Sequence, residues 1–278
     1  MEPLDPAELA ARASSFSLLD TRAPESFAAG HFPGSGHVPA EEMERRRSEL
    51  PPRHAAVLVL AEDGARAAAA AACLESLGYA SVAWLDGPLA LVPNGLSDLS
   101  PAARLWRPSP FLEEVLPLLP PPADGVRVLD LAAGAGREAV FAALHGYQVE
   151  AWDHDRDALE RACELARRHG VELETTVKDL ERRDPEVPSA AYQVVMTFRF
   201  LHRPLLPRVA AAVAPGGWVI YETFLRGQEQ FGRPRHPRFL LDPGELPGHF
   251  PDFLVERYEE KTPPEGPWLA RLLARKPA

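Results

Sequence analysis

The chain has 278 residues, enough for one large domain or two of medium size, and 46% of them are hydrophobic, as in ordinary globular proteins. No run approaches the roughly 20 apolar residues of a membrane helix, and the acidic opening MEPLDPAELAARA lacks the basic flank of a secretion signal, so a cytoplasmic protein is expected. The net charge is −10, with 7 basic and 14 acidic side chains in residues 1–98 and 23 and 26 in residues 99–278; this argues against nucleic-acid or anionic-membrane partners and leaves room for a basic pocket in the second part.

In chain order, Ser17 to Asp20 reads as the end of a short strand, Val57 to Leu60 as a second and Ser81 to Leu85 as a third. Arg66 to Leu77 is alanine-rich and helical, and Gly78 is placed to stop it. Strands alternating with helices make a small α/β domain over residues 1–98. Asp20, Arg22, Phe27, Gly30, His31, Gly34, Ser35, Val38 and Pro39 then stand in an order and spacing that resembles the rhodanese-like domain, over roughly residues 5–92. In active members the loop after the central strand opens with a cysteine that carries sulfur as a persulfide, cradled by backbone N–H groups. Here that position is Ala61, followed by Glu62 and Asp63, which oppose an anion. The resemblance therefore implies the fold without sulfur transfer: a docking or stabilising module, through which a protein partner or a second copy would bind.

The chain has two cysteines, Cys73 and Cys163, which excludes a disulfide framework or a cysteine metal cluster. Both lie on apolar stripes at helical spacing and are expected to be buried, inert thiols. No metal site is expected.

Eight prolines fall between Pro93 and Pro122, with turn signals at Asn94-Gly95 and Ser100-Pro101, so residues 99–124 read as a linker. Within it, Pro110 to Leu119 reads as a short helix covering the sheet of the next domain. Pro120-Pro121-Pro122 then forces an extended approach to residue 125.

Residues 125–278 hold the more informative text. Val126, Val128 and Leu129 read as a buried strand ending at Asp130, and Gly134 and Gly136 supply a turn where backbone can approach a ligand. Arg137 to His145 is helical and stops at Gly146, and Val149 to Trp152 is a second strand delivering Asp153 at its carboxyl end, where a parallel βαβ unit presents ligands. Gly134-Ala-Gly136-Arg-Glu-Ala139 also fits a nicotinamide-binding G-x-G-x-x-A pattern, so an oxidoreductase stays open at this point. Asp155 or Asp157 can cap a helix over Ala158 to His169. Glu172 to Val177, Tyr192 to Phe198 and Trp218 to Glu222 are strand-like, the last two separated by a helix around Val209 to Val213 and the turn Pro215-Gly216-Gly217. Phe253 to Glu259 and Trp268 to Ala274 suit a closing hairpin rather than a crossover.

The Asp130–Gly136 loop, Asp153, Asp179-Leu180 and the Ala214-Pro-Gly-Gly217 turn resemble class I S-adenosylmethionine-dependent methyltransferases, over residues 106–278. The resemblance implies a Rossmann-like domain with a seven-stranded mixed sheet, and S-adenosylmethionine as cofactor. It places Asp130, Ala132, Gly134 and Gly136 around the methionine moiety, Asp153 on the ribose hydroxyls, and Asp179 and Leu180 at the adenine, with His154 as a candidate for the adenine face. Two positions depart from the family: its first loop glycine is Ala132 here, and the acid usual near position 193 is Gln193. Further on, RFLHRPLL, IYETF and GRPRHPRFLLDPGEL look like the tellurite-resistance-type branch of small-molecule methyltransferases.

Substrates approach the methyl group after the fourth strand of this fold, which singles out Arg199, His202 and Arg203, with His202 a candidate base if the nucleophile arrives protonated. Tyr221 and Glu222 end the fifth strand at the same mouth. Arg233, Arg235, His236 and Arg238 lie in a segment punctuated by proline and glycine that suits a lid over an anionic substrate. The expected reaction is methyl transfer to a small, anionic or chalcogen-containing acceptor. Its competitors are a non-catalytic cofactor-binding scaffold and the oxidoreductase.

Overall fold

The structure, a computed structural model, describes residues 2–278 except 93–95, 97–100, 123–124 and 183–184 and the side chain of residue 10. The turn signals expected at Asn94-Gly95 and Ser100 lie outside the described residues. The chain divides into two compact units, Met1–Arg107 and Pro108–Ala278.

The first unit is a five-stranded parallel sheet in the order β1-β5-β4-β2-β3, with β1 at Glu2–Leu4, β2 at Ser17–Asp20, β3 at Gly36–His37, β4 at Val57–Leu60 and β5 at Val82–Leu85. Its helices are α1 (Pro6–Arg12), α2 (Pro24–Ala28) and α3 (Gly64–Ser76). All four residues of the central β4 are buried, as expected of a parallel strand covered on both faces. Val57 and Val59 pack with Ala67, Ala70 and Leu74 of α3, while Leu58 and Leu60 pack on the other face with Leu4 and Leu9. The short edge strands β1 and β3 carry no alternation long enough to be read from sequence.

Several residues of the N-terminal motif turn out to be scaffolding. Arg22 forks onto the fully buried Asp20 (Nη2 to Oδ2, 2.7 Å) and donates to the Gly30 carbonyl at 2.8 Å, locking the loop between β2 and β3. Phe27 is stacked between His31 and His37, at centroid distances of 4.1 and 4.4 Å. Ala61 is buried at the start of the loop after β4, where Asp63 caps α3 by accepting from the Arg66 N–H at 2.9 Å.

The second unit opens with α4 (Pro110–Val115), capped by Ser109. There follow β6 (Arg127–Leu131), α5 (Arg137–Leu144), β7 (Gln148–Asp153), α6 (Arg156–Arg168), β8 (Glu174–Val177), β9 (Tyr192–Phe198), α7 (Leu206–Ala212), β10 (Val213–Phe224), α8 (Glu245–Gly248), β11 (Leu254–Lys261) and β12 (Leu269–Arg275). The seven strands run β11-β12-β10-β9-β6-β7-β8, parallel except for the antiparallel pairings of β12 with β10 and β11. The mixed seven-stranded sheet and the closing hairpin agree with the reading of the sequence.

Two details position the site. Asp155 caps α6 through the Asp157 N–H at 2.9 Å, and the helix buries Ala158, Leu159, Ala162, Leu165 and Ala166 at helical spacing. Gly136, at φ +75°, lies so close to α6 that a Cβ there would sit 2.5 Å from the Ala162 Cβ, so this glycine serves helix packing. The expected turn at Pro215-Gly216-Gly217 is a bulge inside the single strand β10, because its ladder to β9 resumes at Trp218. Cys73 and Cys163 are free and half-buried, less enclosed than expected; the Cys163 Sγ lies 3.8 Å from the Thr175 hydroxyl beside the edge strand β8. Among the described residues no helix is long and apolar enough to cross a membrane.

Candidate active site

The carboxyl ends of β6, β7 and β9 converge on a cleft of about 610 Å³ in the second unit. Ala132, Asp153, His154, Asp179 and Leu180 line it, so five of the residues singled out for cofactor binding are brought together. Lys178 joins them, with its ammonium 4.2 Å from the centroid of the Trp152 ring.

Asp153 is fixed from two sides. Its Oδ2 accepts from the Gly134 N–H at 2.8 Å and its Oδ1 from the Asp155 N–H at 2.9 Å, with His154 Nδ1 3.1 Å from Oδ1. The turn at Gly134 (φ +53°) thus orients the carboxylate that borders the cleft, and a Cβ at Gly134 would meet nothing within 4 Å, so a ligand can lie against bare backbone. Ala132 also holds a left-handed conformation, φ +60°, where glycine is favoured. Asp130 is buried beneath this loop with Oδ2 unpartnered; burial, then the nearby Glu138 and Asp153, pushes its carboxyl well above the ordinary range. Asp179 is exposed, lines the cleft and accepts from the Glu181 N–H at 2.9 Å through Oδ1.

A second cavity, about 680 Å³, lies next to the first and shares Arg199 and Phe200 with it. Arg233, Arg235 and His236 line it, together with Phe224 and Phe239. Arg199 stands at the seam with φ +60°, its Nε 3.0 Å from Glu222 Oε1 and its guanidinium 5.1 Å from the Phe224 ring.

The other acceptor-side candidates occupy supporting positions. Glu222 has no exposed surface; besides Arg199 it accepts from Arg271 Nε at 2.7 Å and from the Ser109 hydroxyl at 3.1 Å. Tyr221 is buried, donates its hydroxyl to the Phe200 carbonyl at 3.1 Å, and has its phenol pushed upward by burial. Arg203 clamps Glu245 (Nη2 to Oε2, 2.8 Å) and donates to the carbonyls of Arg238 and Leu240 at 3.1 and 2.8 Å, anchoring the end of the 233–240 segment. His202 lines neither cavity and precedes the short helical turn Arg203–Leu205.

Sequence reasoning missed Arg271, Ser109, Lys178 and the phenylalanines. For Arg271 a signal existed: a guanidinium inside the apolar run LARLLAR needs a buried partner, and its register partners are Glu222 on β10 and, across the hairpin, Glu259 on β11.

Comparison with known proteins agrees with this architecture. Residues 5–90 match the model of the rhodanese-like domain and residues 128–217 that of a methyltransferase domain. The uncharacterized protein UNK4.09 of Schizosaccharomyces pombe is 23% identical over 82% of this chain and 82% of its own length. The probable S-adenosyl-L-methionine-dependent methyltransferase TehB of Haemophilus influenzae is 26% identical over 30% of this chain, and the match spans only 29% of that relative. The fold is shared with phosphoethanolamine N-methyltransferase 2 of Haemonchus contortus, with a TM-score of 0.52 at 16% identity over 64% of this chain and 55% of that one. The chain thus joins a rhodanese-like domain over residues 5–90 to a methyltransferase domain over residues 128–217.

Proposed function

We propose that the second unit transfers a methyl group to a small anionic acceptor, chalcogen compounds included, held in the second cavity. The observation that carries this reading is the shared wall: the cleft bordered by Asp153 and the cavity bordered by Arg233 and Arg235 meet at Arg199 and Phe200. The cleft suits S-adenosylmethionine, whose sulfonium supplies an already activated methyl group when bound. Asp153, held by two backbone N–H groups, is oriented to accept from the ribose hydroxyls, and Asp179 keeps a free oxygen for the adenine amine. The bare backbone at Gly134 supplies room on the methionine side.

In this reading Arg199 sets the anion of the acceptor at the junction, so the work of the chain is alignment and exclusion of water. His202 borders neither cavity, and no carboxylate is among the residues lining the second one. The nucleophile therefore enters deprotonated, which a soft anion does without a base.

The rhodanese-like domain serves as a docking or stabilising module, since Ala61 stands at the loop position where active relatives carry cysteine. Mass spectrometry after thiosulfate treatment tests this: no sulfur is expected on the chain, and a persulfide on Cys73 would end the idea. For the second unit, saturating S-adenosylhomocysteine should raise the melting temperature, by mass action on the folded state. The Asp153→Ala variant should lose most of that shift. Absence of any shift in the intact protein refutes the methyl-transfer reading.

A further inference from the structure

Building on the methyl-transfer reading, we propose that the second cavity takes an organic anion, an acidic head on an apolar, aromatic-sized body, in preference to an inorganic oxyanion. The cavity measures about 680 Å³, the size of sites that enclose drug-sized ligands. An inorganic oxyanion, at roughly 30 Å³ per heavy atom, fills only about a fifth of it. Phe200, Phe224 and Phe239 supply much of the wall, and three aromatic rings give a hydrated oxyanion nothing in return for its lost water.

The charge is equally pointed. Arg233 and Arg235 are exposed and form no ion pair among the described residues, in a chain whose net charge is −10. Arg199 commits its Nε to Glu222, and its terminal nitrogens have no hydrogen-bond partner among the described residues. Acidic side chains are in surplus, yet none lines this cavity, so its guanidinium groups are left for an incoming anion. Apolar rings beside unpaired guanidinium groups match a carboxylate or phosphate carried on a phenyl-sized body.

Calorimetric titration of the full chain, with and without S-adenosylhomocysteine, tests this with 4-phenylbutyrate and phenyl phosphate against acetate, inorganic phosphate and selenite. The aryl anions should bind at least tenfold more tightly than their truncated or inorganic counterparts. The doubly substituted Arg233→Ala, Arg235→Ala protein, altered only at exposed positions, should lose at least tenfold for aryl anions while binding neutral 4-phenylbutanol and S-adenosylhomocysteine as before. Phe239→Ala should erase the aryl advantage. Selenite or phosphate binding as tightly as the aryl anions, 4-phenylbutanol binding as tightly as 4-phenylbutyrate, or no binding by any probe overturns the proposal. Aryl-anion binding by a protein that fails to bind S-adenosylhomocysteine would instead remove the methyl-transfer reading and leave this ligand class standing.

Discussion

Glu222→Gln is the most informative single substitution in the second unit. The change keeps the shape of the side chain and one acceptor oxygen but deletes the charge that two arginines share. Arg271, with 10% of its side chain exposed, loses its 2.7 Å partner and retains Glu259 at 3.2 Å. Leaving one member of a buried pair uncompensated costs about 3–5 kcal/mol, and the surviving Glu259 contact puts this case near the lower end, at about 3 kcal/mol. Arg199 is 37% exposed, so water screens its arm, which adds about 1 kcal/mol or less. For a domain of this size each kcal/mol lowers the melting temperature by roughly 2–4 °C, giving a fall of about 6–16 °C for the two arms together. Differential scanning calorimetry of the full chain reads it, with the relevant transition marked by its response to S-adenosylhomocysteine. The variant should also raise KM for the acceptor more than for the cofactor, because Arg199 loses its brace. A transition within about 2 °C of wild type would show that Glu222 is not the anchor that its geometry implies.

Other outcomes follow from single contacts. Gly136→Ala forces a Cβ to 2.5 Å from Ala162 at φ +75° and should destabilise by about 2–4 kcal/mol, read as a lowered denaturation midpoint. Ala132→Gly relieves a left-handed alanine and, after the entropy lost to a freer unfolded chain, should leave stability unchanged or raised by up to about 1 kcal/mol; a clear drop would show that the methyl group packs. Burial alone would raise the Glu245 carboxyl, but hydrogen bonds from Arg203, His249 and the Asp242 N–H outweigh it and hold the group at about 2. A depressed acid contributes stability that is complete above its ordinary value of about 4.5 and disappears as pH falls toward 2, here about 1–2 kcal/mol after screening. Acid titration of Glu245→Gln should show that portion of the pH dependence missing.

What the sequence disclosed follows from range. The strand-ending acids Asp130 and Asp153, the two glycines between them and the closing hairpin are local patterns, and the structure places them as read. G-x-G-x-x-A at Gly134–Ala139 could not by itself separate two nucleotide-binding folds; the antiparallel β12 beside β10 does, and that is a long-range fact. Glu222 illustrates the limit. A charged residue at a strand end reads as a mouth residue, and only the arrival of Arg271 from the hairpin and Ser109 from the covering helix shows that it is enclosed. Tyr221 and Arg203 read alike for the same reason, since nothing local tells a clamp from a contact. The phenylalanines of the second cavity were hidden because an aromatic ring at a strand end or in a loop is as often core as lining.

The buried carboxylate at Glu222 also constrains how this protein could acquire a new specificity. An apolar residue at Arg199, the simplest route to a neutral acceptor, strips one cation from a carboxylate that has no solvent to turn to. It would leave Arg271 and one hydroxyl to hold it. A lineage drifting toward neutral acceptors would therefore tend to change Glu222 and Arg271 before or together with Arg199. Saturation libraries at Arg199 alone should return folded clones destabilised by about 1 kcal/mol or less, whereas libraries covering the trio should recover that stability in retargeted ones.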